Sequence, residues 1–388
     1  MQLFFNDFFL IRPFLGRLIF GMLGIFGIFG IGLSISIRAL AEVRQEVRFV
    51  DEKPPSSEGT RVKPFLWIPF VYFTPETQWA GGSLLRWNWS ELKVMGRVDQ
   101  TTLIAFRTLL NQSFVTLNGR WFLNDGWDEF AVTLTWLHYP DRFYGRGEWG
   151  FQKEHELFFE ARQGLSVSYA KHLSGYFFIR GGYLFENRSF SIVNETGRHY
   201  LREEFTKYDK DFIQRCYSVA LEYDNRDILE APTQGQWSRL MFQPCNGWQR
   251  YELDLRFYHR VFQATWANQM MLAHVEGEQT PFAMLHTIGG RNLFRGYPFG
   301  FLRDQTVAAV QSEYRFDWKD RWIPVAFASG GMVGAPPLFS GRSFPIWSVG
   351  AGMHYVLEPK ARTKIRLEWA RTFQENLMGI YFVNGEAF

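Results

Sequence analysis

The feature that most restricts this chain is a two-residue alternation in which one face is greasy and aromatic and the other is densely charged. In 308–318, Ala308, Val310, Ser312, Tyr314, Phe316 and Trp318 share one face, while Ala309, Gln311, Glu313, Arg315 and Asp317 share the other. In 364–369, Ile365, Leu367 and Trp369 stand against Lys364, Arg366 and Glu368. At 251–258, Tyr251, Leu253, Leu255 and Phe257 oppose Glu252, Asp254, Arg256 and Tyr258. Successive side chains of a strand point to opposite faces, so a period of two reads as strand. A soluble sandwich alternates as well, but it turns its apolar faces inward on each other. Here the apolar faces carry Trp and Tyr near the strand ends, as in membrane girdles, and charges of both signs fill the other face, as in a wet lumen. Aromatics are 18% of the chain, yet its mean hydropathy is slightly negative, which suits a wall that is greasy on one side only. The expected fold is all-β, a transmembrane antiparallel β-barrel.

Candidate strands fall at 79–89, 101–109, 114–123, 128–138, 153–162, 165–172, 176–186, 215–225, 236–244, 250–261, 263–275, 306–318, 322–333, 345–357, 361–373 and 378–388. That gives about 16 strands, an even number, with 65–73 as the nearest candidate for an extra one. If the last strand ends in the periplasm, 172–174 and 262–263 are short periplasmic turns, and 187–212, 276–305 and 334–344 lie on the opposite side. In this arrangement 226–235 and 138–148 are too long for their side. Residues 1–41 read as a signal peptide: Arg12 and Arg17, the apolar run Leu18–Ile37, and Ala39-Leu40-Ala41 as a small-x-small cleavage site. The run is also long enough for a retained anchor. Residues 42–64 are polar and contain Pro54-Pro55-Ser56-Ser57, a periplasmic linker, and 65–388 form the barrel domain.

One stretch breaks the alternation. From His286 to Asp304 the chain carries Gly289, Gly290, Gly296, Gly300 and Pro298 among aromatic residues, too long for a hairpin turn and too aromatic for a surface loop. An apolar loop needs a specific place to go, and the inside of a large barrel is the simplest one. The tetrapeptide Phe294-Arg295-Gly296-Tyr297, with Gly289-Gly290 before it and Arg303-Asp304 after, resembles the sixth-loop motif of the BamA/TamA superfamily, the bacterial surface antigen family. The resemblance extends over 65–388 and includes Pro140-Asp141-Arg142-Phe143-Tyr144-Gly145 and the end of the chain. There Tyr381, Phe382 and a terminal Phe388 resemble the sorting signal read by the barrel assembly machinery; the alternative is a strand that happens to end in Phe. The resemblance implies an outer-membrane barrel whose sixth loop enters the lumen, with the motif arginine held by an acid in an F-x-acid-x-G pattern. Here that pattern reads Phe327-Ala328-Ser329-Gly330-Gly331, so Ser329 stands where the family has its acid. A buried guanidinium needs a carboxylate. Glu313 is the first candidate, because it faces inward on the strand after the loop, and Asp304 is the second. Relatives of this kind carry periplasmic chaperone-like domains, for which the chain leaves no room.

The two cysteines, Cys216 and Cys245, flank the hairpin 215–225/236–245. The register that sets Glu222 against Arg239 inside, and Val219 against Phe242 and Leu221 against Leu240 outside, also sets Cys216 opposite Cys245. A register shifted by two keeps the faces and leaves two free thiols. Chemistry is otherwise sparse. The eight His are scattered singly, with no metal-ligand spacing, no H-E-x-x-H, no G-x-S-x-G and no phosphate loop, so neither cofactor nor metal nor enzymatic activity is expected. With 42 basic against 39 acidic residues, nucleic acid is not an expected partner. The resemblance implies insertion, assembly or export of proteins at the outer membrane. Its partners would be outer-membrane lipid, the assembly machinery and client membrane proteins. A solute or lipid channel, passive or gated, and a structural surface antigen are the alternatives.

Overall fold

The computed structural model of the chain describes residues 63–388 apart from the short stretches 75–77, 92, 95–96, 110, 148–154, 195–199, 208, 230, 278–279, 320, 336–342, 359–362 and 386. The expected leader and nearly all of the expected linker lie outside the described residues. The strands, in chain order, are β1 (Phe65–Thr74), β2 (Gln78–Asn88), β3 (Gln100–Thr108), β4 (Ser113–Leu123), β5 (Asp128–Phe143), β6 (Glu156–Ser174), β7 (Phe177–Asn194), β8 (Asp211–Asp224), β9 (Gly235–Pro244), β10 (Gln249–Val261), β11 (Ala264–Glu276), β12 (His286–Ile288), β13 (Leu302–Asp304), β14 (Thr306–Phe316), β15 (Trp322–Gly334), β16 (Ser343–Glu358), β17 (Thr363–Thr372) and β18 (Met378–Asn384). All but β12 and β13 form one 16-stranded antiparallel sheet in which each strand pairs with its neighbour in sequence, while β12 and β13 pair only with each other. A short helix, α1 (Tyr200–Lys207), lies between β7 and β8.

The two faces of this sheet are exposed the wrong way round for a soluble protein. On β17, Leu367 and Trp369 are 55% and 44% exposed, whereas Arg366 and Glu368 are at most 1% exposed. On β8, Tyr217, Val219 and Leu221 are exposed, while Gln214, Glu222 and Asp224 are buried. An apolar surface this extensive calls for a non-aqueous neighbour. The charges on the buried face survive there because they are paired, both within and across strands. Arg180 of β7 donates to Glu222 of β8 at 2.9 and 3.0 Å and to Glu129 of β5 at 3.1 Å. Arg239 of β9 bonds Glu252 of β10, and Arg256 bonds Asp254 at 2.7 Å. Elements far apart in the strand order meet on this face: Arg97, before β3, comes within 4.0 Å of Asp224 on β8. We call it the inner face, since the sheet curls around it.

The strand total agrees with the expectation only because two errors cancel. Residues 153–162 and 165–172 were expected to be two strands, but 156–174 is one, with Gly164 paired to Thr135 on one side and Glu186 on the other. The pair Gln163-Gly164 looks like a break and is strand interior, because the strand runs on through it with Arg162 on the charged face, 3.7 Å from Glu160 and 3.8 Å from Glu186. The missing strand is 65–74, which pairs with β2 along its full length. Joining β6 into one strand also moves the connection after β5 to the side that holds the β7–β8 and β11–β14 connections. Its length at 144–155 is therefore no longer an anomaly; only 89–99 and 225–234 remain long on the opposite side.

Candidate functional site

The segment between β11 and β14 is a folded unit. His286↔Asp304, Thr287↔Arg303 and Ile288↔Leu302 pair at its base. Above it, Gly290 N donates to Tyr297 O at 2.9 Å and Tyr297 N to Phe294 O at 3.3 Å, curling the tip back on its stem. Gly289 is required at this crossing. Its φ is +106°, and a Cβ there would stand 1.9 Å from Pro298 O. The side chains thrown outward by this compact backbone are apolar. Phe294, Tyr297, Phe301 and Leu302 are buried together with Ile288, and with Val307, Ala309, Val333 and Ile346 from the inner face of β14, β15 and β16. Gly331 on β15 leaves the space that Phe294 fills, since a Cβ there would meet its ring at 2.7 Å. On the far side, Phe301 packs on Tyr144 with ring centroids 5.3 Å apart.

Arg295 is the charged centre of the unit and has no solvent exposure. Its Nη2 donates to Glu313 of β14 at 2.7 Å, and its Nη1 to Glu368 of β17 at 2.9 Å. Its guanidinium carbon lies 3.4 Å from the centre of the Phe327 ring on β15. That ring in turn covers Gly350 of β16, where a Cβ would come within 2.3 Å of it. Glycine thus lets the ring lie against the sheet and present its face to the cation. Both carboxylates have further partners: Glu313 accepts from Arg315 at 2.7 Å, and Glu368 accepts from Arg366 at 3.1 Å and meets His354 Nε2 at 2.9 Å. A buried ion is costly unless paired and hydrogen-bonded, and here a planar fork reaches one acid on each side while its face is stacked.

The rest of the motif anchors the last strand. Gly296 N donates to Tyr381 Oη on β18 at 2.8 Å, and Tyr297 Oη to Gln374 at 2.9 Å. Burial pushes the Tyr297 hydroxyl up to about 12. At the base, Arg303 donates to Phe282 O at 3.0 Å with its guanidinium near the rings of Phe143 and Phe282, and burial lowers its pKa.

Of the residues singled out in the sequence as partners for Arg295, the structure brings Glu313 to it. Asp304 stays at the base, accepting from Gln305 N at 2.7 Å, and burial raises its pKa. Ser329 is buried on β15, and its Oγ has no hydrogen-bond partner among the described residues. Nothing in the sequence marks Glu368, Arg366 and His354 as the group that meets the loop arginine. Their inward phase was visible, but not that β17 curls round to face the loop tip. Cys216 and Cys245 are joined in a disulfide with Cα atoms 4.1 Å apart, in a hairpin whose register pairs Glu222 with Arg239 and Leu221 with Leu240. Tyr381 points inward to the loop and Phe382 outward, while Phe388 packs with Tyr258, Ala267 and Ala387. Nearer that end of the sheet, a cavity of about 580 Å³ is lined by Arg97, Arg180, Arg226, Glu129, Glu222 and Asp224 among others. Among the described residues, no group of three or more His, Cys, Asp or Glu is placed to hold a metal ion.

No family model and no curated protein sequence matches the chain. Solved structures do. BamA from Haemophilus ducreyi lacking POTRA domains 1–3 aligns over 91% of this chain and 78% of its own, at 13% identity and a TM-score of 0.57. CdiB from Escherichia coli aligns over 87% and 68%, at 13% identity and a TM-score of 0.56. CdiB from Acinetobacter baumannii aligns over 84% and 60%, at 9% identity and a TM-score of 0.55, so the chain spans 60% of that protein's length. At such identities the likeness is one of fold, and the fold of this chain is that of BamA and CdiB.

Proposed function

We propose that this chain closes into an outer-membrane β-barrel of the BamA/TamA type, with the 286–304 unit inside its lumen, and that it serves the insertion, assembly or export of proteins at that membrane. The observation that carries the reading is the seating of Arg295 between Glu313 and Glu368. A passive pore has no need of a plug fixed by buried ion pairs to the last strands of its wall. A device that works at the junction of its first and last strands does, because the loop sets where those last strands stand. The greasy outer face is the lipid contact, and an extended client segment pairs with a free strand edge. Residues 1–41 act as the export signal and 42–64 as the periplasmic linker. Tyr381, Phe382 and Phe388 present the chain to the assembly machinery for its own insertion. The test is depletion followed by quantitative outer-membrane proteomics. Loss of other barrels from the membrane is the expected result, and an unchanged profile sinks the reading.

The second reading is a channel, favoured by the charged cavity. Steady single-channel steps from the purified protein in a planar bilayer, together with an unchanged proteome on depletion, would establish it instead.

A further inference from the structure

The two ends of the strand order, β1 and β18, do not offer equivalent edges. Asn88 N donates to Pro64 O at 2.8 Å, and the β1–β2 register continues from that pair through Phe65↔Trp87 to Thr74↔Gln78. In an antiparallel ladder, hydrogen-bonded pairs alternate with non-bonded ones. The even-numbered residues of β1 therefore give their backbone groups to β2, and Phe65, Trp67, Pro69, Val71 and Phe73 turn theirs to the outer edge. The next ladder fixes the same phase independently. Leu109 N donates to Trp79 O at 2.9 Å, which commits the odd-numbered residues of β2 to β3 and leaves the even-numbered ones for β1. At the other end, Thr372 N donates to Leu377 O and Gly385 N to Lys364 O, both at 2.9 Å. These bonds bracket β18 and assign Gly379, Tyr381 and Val383 to β17. Met378, Ile380, Phe382 and Asn384 turn their backbone groups outward.

On both edges the outward-turned backbone belongs to residues with exposed apolar side chains: Phe65, Trp67 and Val71 on one, Met378, Ile380 and Phe382 on the other. A strand added to either edge must therefore carry its own apolar residues on the same greasy face. The edges differ in their donors. All four edge residues of β18 have an N–H. In β1 the middle edge position is Pro69, which has none. A strand added to β1 keeps one of its carbonyls without a donor halfway across the wall, where no water is present to replace it. The edges differ in support as well. β18 is fixed from inside by the Gly296–Tyr381 bond, and Phe388 just beyond it packs on Tyr258 and Ala267.

We propose that β18 is the acceptor edge: an extended segment of a wall-forming membrane strand, apolar at alternate positions, adds to Met378–Asn384, and Pro69 keeps such a segment off β1. The inference rests on the assembly reading above and specifies which edge performs it. It also gives the loop motif its purpose, since Arg295 and Gly296 hold the acceptor strand in place. When no partner is bound, β1 and β18 face each other, and whichever β18 residue stands opposite Pro69 has an unpaired carbonyl. That makes this the weakest ladder of the wall.

The native cysteines are bonded to each other, so one added cysteine is the only free thiol. We would place it at the acceptor edge (Ile380→Cys) or beside the proline (Val71→Cys), in full-length protein held in phosphatidylcholine nanodiscs. The probe is a synthetic peptide of alternating Val and Thr with a central cysteine carried as its thionitrobenzoate mixed disulfide. The protein thiolate attacks the peptide sulfur, forms the protein–peptide disulfide and releases thionitrobenzoate, which is read by absorbance. Rates are normalised to those with free thionitrobenzoate disulfide. The expected result is at least tenfold faster capture by I380C than by V71C, with Pro69→Val in the V71C background closing most of that gap. Equal capture at the two edges, or no response of V71C to Pro69→Val, overturns the edge assignment and leaves the assembly reading standing. Capture at neither edge overturns both. Self-linked I380C dimers in place of peptide capture would mean that the edge serves a second copy of this chain, which also overturns the proposal.

Discussion

Replacing Arg295 with alanine removes the 2.7 and 2.9 Å bonds to Glu313 and Glu368 and the stack on Phe327. Deleting one member of a buried ion cluster costs about 3–5 kcal/mol, because the opposite charges stay behind in a place that does not solvate them. Here Glu313 keeps Arg315, and Glu368 keeps Arg366 and His354, so the loss belongs near the lower end, about 3 kcal/mol. At 1.4 kcal/mol per decade this is roughly a hundredfold change in the folding equilibrium. Arg295→Lys should fall between the variant and the native protein. A single ammonium retains the charge but neither forks between two carboxylates nor stacks as a plane. The assay is guanidinium unfolding of the protein in lipid vesicles, followed by tryptophan fluorescence, with the midpoint compared at constant slope. A loss below about 1 kcal/mol, in the range of an exposed pair, would refute the burial of this guanidinium between two acids.

Other outcomes follow from the same contacts. Gly350→Val should cost about 1–3 kcal/mol through overpacking against Phe327, and it should be sub-additive with Arg295→Ala, because both dismantle one stack; full additivity in a double-mutant cycle would count against the stack. Cys216→Ala with Cys245→Ala should lose about 2–4 kcal/mol, a loss that reductant reproduces in the native protein and does not deepen in the variant. His286 at the loop base is buried, and burial first and Arg250 second hold its pKa well below the ordinary value, so the folded state keeps it neutral. Below pH of about 6.5 the unfolded chain takes up a proton there that the folded chain refuses, so stability drops as the pH falls through this range. His286→Gln should flatten that part of the stability–pH curve, and an unchanged curve would show that the base of the loop is wet.

What was legible in the sequence followed from phase. The inside-out faces, the long interruption at 286–304 and the inward position of Glu313 are each local: a period-two pattern and a strand beginning beside the loop settle them. The β8–β9 register is local too, since a charge pair and two greasy pairs share one phase across a single hairpin. Two elements depart from the pattern, one because a charged inner face lets polar residues continue a strand and one because an edge strand accepts proline. Gln163-Gly164, which the pattern offers as the break between two strands, is wall, and 65–73, which the pattern offers only as an extra strand because Pro69 sits in its middle, is an edge strand, where proline is tolerated. Glu368 and His354 were beyond reach for a different reason. Glu368 meets Arg295, and His354 meets Glu368, only through the curvature of the whole sheet, with Glu368 lying 73 positions beyond Arg295 in sequence. No local pattern encodes that.

The proposed arrangement is a sheet closed into a membrane wall around its own loop. Migration in dodecyl sulfate gels, with and without boiling, tests it most directly, because a closed ladder in which the backbone groups are paired resists the detergent until heated. A closed wall gives a compact, faster-migrating form in unboiled samples that converts to a slower one on heating, at a lower temperature for Arg295→Ala than for the native chain. Identical mobility before and after boiling, from protein extracted out of the membrane, would contradict it.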